Sequence, residues 1–429
     1  MKNKGQRQSV CVLGLGYIGL PTASLLATKG FEVYGMDVNP KAVETVSAGG
    51  VHIAEPELDV LVKSAVQSGR LRVSGEVEPA DIFILAVPTP FQDGHTPDMG
   101  YVEAATRNIA PHIQPGNLVI LESTSPVGTT ELVAQWLGEE RPDLRVPRAS
   151  SYAATDGVAD ILVAHCPERV LPGQILRELL GNDRIVGGVD EASTDAAAEF
   201  YKQFVSGAVL TTNSRTAELA KLTENTFRDV NIALANELSL VCDHLDVDVW
   251  ELIDLANHHP RVNILRPGPG VGGHCIAVDP WFIVYSAPDH ANLIRLARET
   301  NDAKPEFVVR RIASRAERIK DPVIACLGLT YKEDIDDLRE SPAVQITRRV
   351  AEQGVGRVLA VEPNVTALPA CLEQAGVELT RIEDALRQAD IIVALVAHRE
   401  FRRIPVNRLQ EKILVNVCGL WRLSIGSAV

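Results

Sequence analysis

The sequence predicts an α/β protein: two doubly wound parallel-sheet domains joined by a central helical domain. Three observations carry that prediction. An apolar run of buried-strand type, Ser9–Leu13, leads into Gly14-Leu15-Gly16-Tyr17-Ile18-Gly19 and then a helical pattern. Two further apolar runs, 81–87 and 118–121, end in small hydroxyl and proline residues. The C-terminal third repeats the plan with runs at 322–328, 357–361, 390–396 and 412–416 that alternate with helical segments. Short continuous apolar runs between helices are the signature of parallel sheets covered on both faces. The expected domains are 1–210, 211–318 and 319–429.

Bulk properties narrow the class. A chain of 429 residues, 46% of them hydrophobic, is enough for two or three ordinary cores. Forty-two Lys+Arg against 56 Asp+Glu leave a net charge of -14, and no basic run suggests a nucleic-acid footprint. The seven cysteines are scattered without a C-x-x-C pair, so neither a disulfide framework nor a metal site is expected. No apolar run approaches the ~18 residues needed to span a bilayer, so the expected setting is the cytoplasm.

In the first domain the glycine motif follows a strand, opens a helix and is followed by Asp37, 18 residues after Gly19. That context reads as a Rossmann dinucleotide site. Gly14 permits the tight turn, Gly16 lets the pyrophosphate approach the backbone, and Gly19 lets the helix pack close, with Tyr17 and Ile18 between them. Asp37 is placed to accept the adenosine ribose hydroxyls and to repel a 2′-phosphate, which favours NAD over NADP. Thr89, Ser123 and Thr124 follow strands at the carboxyl edge, where such sheets bind ligands. Turn and cap chemistry is the alternative reading of each.

Farther on, His165-Cys166-Pro167-Glu168-Arg169-Val170 closes another strand with a carboxylate and a cation. The helical stretch 216–237 puts Lys221, Asn225 and Arg228 on one face, at i, i+4 and i+7. A solvated polar stripe is the alternative there. Gly268, Gly270, Gly272 and Gly273 precede Cys275, and side-chain-free backbone would let a substrate meet the thiol. A helical region from Leu293 reaches about Lys320, with Pro305 as an interruption.

Seven ordered motifs resemble the UDP-glucose/GDP-mannose dehydrogenase family. They are GLGYIG at 14–19, VPTP at 87–90, ESTSPVGTT at 122–130, PERVLPG at 167–173, AELAKLTENTFRDVNIALANE at 217–237, GPGVGGHCIAVDPWF at 268–282 and GLTYKEDIDDLRESP at 328–342. The resemblance implies oxidation of a nucleotide-sugar C6 hydroxyl to a carboxylate with two NAD per turnover, and a homodimer built on the central helices. It implies Cys275 as nucleophile, Lys221 and Asn225 beside the reacting centre, Asp279 orienting water and Lys221, and Glu168 and Thr124 positioning water or the hydroxyl. Arg169, Val170, Arg228, His259, Gly272, Tyr331 and Lys332 would contact the UDP-sugar, Arg261 would reach across the dimer, and Arg339 would lie near the cofactor. PERVLPG, PRVNI at 260–264 and the cysteine loop are most similar to members acting on UDP-N-acetyl-D-mannosamine, with UDP-N-acetylglucosamine and UDP-glucose as alternatives. One departure stands out: many members have an arginine where this chain has Cys418, and Arg422 is the nearby substitute.

Alcohol-to-acid oxidation removes four electrons, and each NAD takes two, so the aldehyde must be retained between hydride transfers. A thiolate does this by forming a thiohemiacetal and then a thioester that water hydrolyses. Lys221 and inward-pointing amides would favour the anion; either Lys221 or a water held by Asp279 takes the first proton. A two-electron 3-hydroxyacid-type dehydrogenase and a non-catalytic nucleotide-sugar sensor are the rival readings.

Overall fold

The computed structural model describes residues 8–421, apart from 54, 149–157, 172 and 274. The chain forms two compact units, 1–223 and 224–429. In the first, strands β1 (Ser9–Leu13), β2 (Glu32–Met36), β3 (Leu71–Ser74) and β4 (Ile82–Leu85) precede a short hairpin of β5 (Phe91–Gln92) and β6 (Thr96–Pro97). After them come β7 (Leu118–Leu121), β8 (Leu162–His165), β9 (Arg184–Gly188) and β10 (Val209–Asn213). The main sheet has the order β10-β9-β8-β7-β4-β1-β2-β3. Successive residues point to opposite faces, and both faces are covered. Val10, Val12, Ile82, Ile84 and Ile120 lie in one core, while Cys11, Leu13, Phe83, Leu85, Val119 and Leu121 lie in the other. Their strands therefore read as continuous apolar runs.

The sheet is not wholly parallel. β8 pairs antiparallel with β9 through Ala164↔Gly188 and His165↔Gly187, and β10 runs parallel to β9. The expected parallel sheet thus ends in a reversed two-strand edge. A loop and the short helix Ile175–Gly181 return the chain at the end it left, where an antiparallel neighbour needs no crossover. β9 ends in two glycines, residues that weaken strands elsewhere. In place they admit close neighbours: a Cβ on Gly187 would stand 2.2 Å from the Asn213 carbonyl oxygen and 2.8 Å from the Ala217 Cβ.

The second unit holds β11 (Val323–Leu327), β12 (Arg357–Val361), β13 (Glu378–Leu379), β14 (Ile391–Ala394) and β15 (Ile413–Asn416). They form an all-parallel sheet in the order β13-β12-β11-β14-β15. The helix Asn292–Ala316 passes through Pro305 without ending, so the expected interruption is absent. Proline removes one helical donor, but the turns around it are anchored by burial of Val308, Val309 and Ile312 and by a polar cluster. There Arg298 donates to Asp229 at 2.5 Å, and Asn301 donates to the same carboxylate at 2.8 Å.

The two sheets repeat one turn. Gly14 and Gly328 both have φ of +88°, and their amides donate to Met36 at 2.8 Å and Val361 at 2.9 Å. Asp37 accepts from the Leu15 and Asn39 amides, as Glu362 does from those of Leu329 and Asn364. They differ in access: Glu362 is closed by the buried His398 ring, whose Nε2 lies 3.0 Å from it. Asp37 stays half-buried. No helix among the described residues is long and apolar enough to cross a membrane.

Candidate active site

The glycine turn after β1 fits a dinucleotide, with each glycine doing a different job. A Cβ at Gly14 would fall 2.5 Å from the Ala86 carbonyl oxygen, and one at Gly19 would fall 1.8 Å from that of Gly14. At Gly16 a Cβ would meet nothing within 4 Å. Gly14 and Gly19 are therefore needed to build the turn, and Gly16 leaves it open. The helix Gly19–Thr28 begins at Ile18 without a side-chain cap, the condition in which its first-turn amides and dipole can take a phosphate. Asp37 also braces the motif, since its Oδ2 accepts the Leu15 amide at 2.8 Å. Carboxylate oxygens have further lone pairs for ribose hydroxyls.

At the carboxyl edge, Thr89 Oγ1 donates to the Thr124 carbonyl at 2.7 Å, tying together the loops after β4 and β7. Ser123 turns its hydroxyl onto the Val87 carbonyl at 2.7 Å and is buried, so it braces the loop. Thr124 itself is half-buried. Glu168 and Lys221 are each 9% exposed, and Lys221 draws down the Glu168 carboxyl that burial pushes up. Arg169 is half-buried and donates to the Asp183 carbonyl at 3.1 Å, with Val170 packed on the core beside it.

In the second unit, Asn225 Nδ2 donates to Asp279 Oδ2 at 2.6 Å, and Asp279 is 3% exposed. Lys221, Asn225 and Arg228 follow one face of the 32-residue helix Ser214–Leu245, along which exposure rises from Lys221 to Arg228. Cys275 is the exposed cysteine of the seven. Its carbonyl accepts the amides of Val278 and Asp279 at 3.0 and 2.9 Å, so it opens the helical turn that enters Asp279–Ser286. The partial positive charge at such a start favours an anion.

Of the four glycines before Cys275, Gly268 is open, with nothing within 4 Å of an added Cβ, and the other three have a different purpose from the one expected. Added Cβ atoms at Gly270, Gly272 and Gly273 would meet Pro342 at 3.1 Å, the Glu340 carbonyl oxygen at 2.4 Å and the Tyr331 ring at 3.1 Å. They admit the 331–342 loop of the same chain rather than leaving bare backbone for a ligand. That contact brings Tyr331 to the cysteine loop, with exposed Lys332 next to it. Arg339, exposed, is held by Asp337 through Nη2–Oδ2 at 2.6 Å. His259 and Arg261 are exposed, and the Arg261 amide donates to His259 Nδ1 at 3.3 Å.

Cys418 supplies no cation, since a thiol is neutral or anionic; this one is half-buried by surface exposure, and desolvation pushes it up to about 12, so it stays neutral. The following Gly419 lies where a Cβ would reach the Trp250 ring at 2.7 Å. Arg422 and His274 fall outside the described residues. Sequence reading missed Glu218, whose buried carboxylate accepts from the Gly128 and Thr130 amides at 2.6 and 2.7 Å and caps the helix Thr129–Glu140. Its place one residue after Ala217, on a helix face taken as surface, hid that role.

Comparison with known proteins identifies the family. Three models of the UDP-glucose/GDP-mannose dehydrogenase family match in sequence: the NAD binding domain over residues 8–205, the central domain over 215–303 and the UDP binding domain over 325–421. An NDP-N-acetyl-D-galactosaminuronic acid dehydrogenase of Ralstonia nicotianae is 56% identical over 414 residues, 96% of each chain. A UDP-N-acetyl-D-mannosamine dehydrogenase of Campylobacter jejuni is 53% identical, covering 94% of this chain and 98% of its own. The solved UDP-D-ManNAc dehydrogenase of Pyrococcus horikoshii superposes with a TM-score of 0.84 at 38% identity, over 97% of both chains.

Proposed function

Since the chain belongs to the UDP-glucose/GDP-mannose dehydrogenase family and is an NAD-dependent nucleotide-sugar dehydrogenase, we propose that it oxidises C6 of UDP-N-acetyl-D-mannosamine to the uronate. The observation that carries the chemistry is the exposed Cys275 at the start of a helical turn, four residues before a buried Asp279 fixed by Asn225. Bound NAD supplies the hydride acceptor, twice per turnover. In this reading Cys275 adds to the aldehyde left by the first transfer and forms a C–S bond. Loss of the second hydride converts that adduct to a thioester, and water breaks the C–S bond to give the acid and regenerate the thiol. Lys221 and Asn225 stabilise the developing oxyanion, Asp279 and Glu168 hold water or take its proton, and Thr124 orients the hydroxyl.

Arg169, Val170, Arg228, His259, Gly272, Tyr331 and Lys332 are assigned to the UDP-sugar, and Arg339 to the neighbourhood of NAD. A second copy is proposed to pack on the long helix, where Phe227, Leu234 and Val241 recur every seventh residue at 69%, 47% and 46% exposure. Arg261 would reach the other protomer's site. The Ralstonia relative supports a second reading, oxidation of an N-acetylgalactosamine nucleotide. A panel of UDP-N-acetylmannosamine, UDP-N-acetylgalactosamine, UDP-N-acetylglucosamine and UDP-glucose with NAD tests the assignment by product mass and NADH yield. Two NADH per acid from the mannosamine substrate is expected, with Cys275→Ala binding the nucleotide sugar but forming no acid. Turnover of UDP-glucose alone, or a Cys275→Ala enzyme near the wild-type rate, would overturn it.

A further inference from the structure

Beneath the carboxyl edge of the first sheet lies a group of ionisable side chains that the reaction touches only through Glu168 and Lys221. Glu122 follows β7, His165 ends β8, and Cys166 and Glu168 come next. Arg184 begins β9, Tyr201 ends the helix Glu191–Tyr201, and Lys221 stands on the helix from Ser214. Glu122, His165, Arg184 and Tyr201 are at most 2% exposed.

Arg184 reaches this layer because β9 is reversed. The pairs Ala164↔Gly188 and His165↔Gly187 define an antiparallel register that, continued, brings Arg184 level with Glu168. A parallel strand would have put its first residue at the opposite edge of the sheet. The guanidinium lies over the Tyr201 ring, 5.6 Å from its centroid, and Nη2 donates to the Leu179 carbonyl at 3.2 Å.

Thirteen buried side-chain polar atoms among the described residues have no hydrogen-bond partner within the protein. Seven of them are in this group: Glu122 Oε1, both His165 ring nitrogens, Glu168 Oε1, Arg184 Nε and Nη1, and the Tyr201 hydroxyl; the Tyr201 hydroxyl still acts on Glu122 and Cys166, and the Leu121 backbone on His165, at poorer geometry. Buried polar atoms are ordinarily satisfied, so such a concentration marks a polar layer within the core. In a low-dielectric interior, charges not locked in local pairs act on each other over longer distances. The interactions agree. Burial raises Glu122 to about 7, with Arg184 opposing and Glu168 adding to the rise. Glu168 is raised by burial and drawn down by Lys221 and Arg184. His165 is held near 3 by burial and then Lys221, so it remains neutral. Burial also pushes Cys166 to about 12, and Tyr201 well above its usual value, leaving both uncharged.

We propose that Arg184 is a positioning residue for Glu168: beside Lys221, the guanidinium holds the Glu168 carboxylate ionised and so sets the pH at which it accepts a proton. This rests on the proposed role of Glu168 in handling the proton or the water. The test follows Glu168 by infrared difference titration of protein carrying 13C-labelled glutamate, with the band assigned against Glu168→Gln, alongside the pH profile of kcat/KM. Arg184→Met removes the cation and should move the Glu168 midpoint and the acid limb of the profile up together by about one unit. Arg184→Lys, which keeps the charge, should restore most of the wild-type behaviour. If Arg184→Met lowers only thermal stability, with midpoint and profile unmoved, the residue is structural and the proposal fails. If wild-type protein oxidises no nucleotide sugar while the band still shifts, the coupling stands and the proposed function fails.

Discussion

Gly16→Ala and Gly19→Ala, three residues apart in one motif, should separate binding from folding. At Gly16 an added methyl meets nothing within 4 Å and φ is not positive, so the fold should be unchanged or gain about 0.4–1 kcal/mol from the stiffer unfolded chain. The same methyl would stand where a pyrophosphate approaches the backbone. Losing one or two charge-assisted N–H contacts, at about 1.5–3 kcal/mol each, should weaken NAD binding about 10-fold or more. At Gly19 the methyl would fall 1.8 Å from the Gly14 carbonyl oxygen. The obstacle is backbone, so the helix must move, and overpacking of about 1–3 kcal/mol is a lower bound. Thermal unfolding and NAD calorimetry on the two variants make the comparison. A Gly16→Ala protein that binds NAD like wild type would refute placement of the pyrophosphate at this turn. An equally stable Gly19→Ala protein would refute the packing argument.

Three further outcomes follow from side-chain geometry. Asp37→Asn keeps an acceptor for the Leu15 amide but removes the charge that excludes a 2′-phosphate, so the NAD/NADP affinity ratio should fall at little cost in stability; an unchanged ratio would remove Asp37 from selectivity. Asn225→Ala leaves the buried Asp279 without its 2.6 Å donor, and a loss of about 1–3 kcal/mol is expected in chemical denaturation; no change would mean that another group satisfies Asp279. Lys304 is 4% exposed and burial lowers it to about 8. Its folded value lies below the unfolded one, so the folded protein binds fewer protons between about 8 and 10.5 and stability should rise with pH across that window. Lys304→Met should flatten the rise and raise Tm at pH 7, and a lower Tm would show that contacts with Ser239 and the Phe307 ring outweigh desolvation.

Local patterning was sufficient for much of this protein. Strands such as Ser9–Leu13 and Ile391–Ala394 are continuous apolar runs because both faces of their sheets are covered, and the glycine motif announces its turn because only glycine tolerates the φ and the contacts at 14 and 19. Cys275, Lys221, Asn225 and Asp279 could be named from ordered motifs. The tertiary structure decided what depends on neighbours distant in sequence. It reversed β9 and so carried Arg184 to the level of Glu168. It turned the glycines at 270–273 toward Tyr331 and Pro342. It sealed Glu362 behind His398 while leaving Asp37 accessible in the same turn. Strand direction, close approach and burial are relations between segments, whereas periodicity records only which way each segment faces.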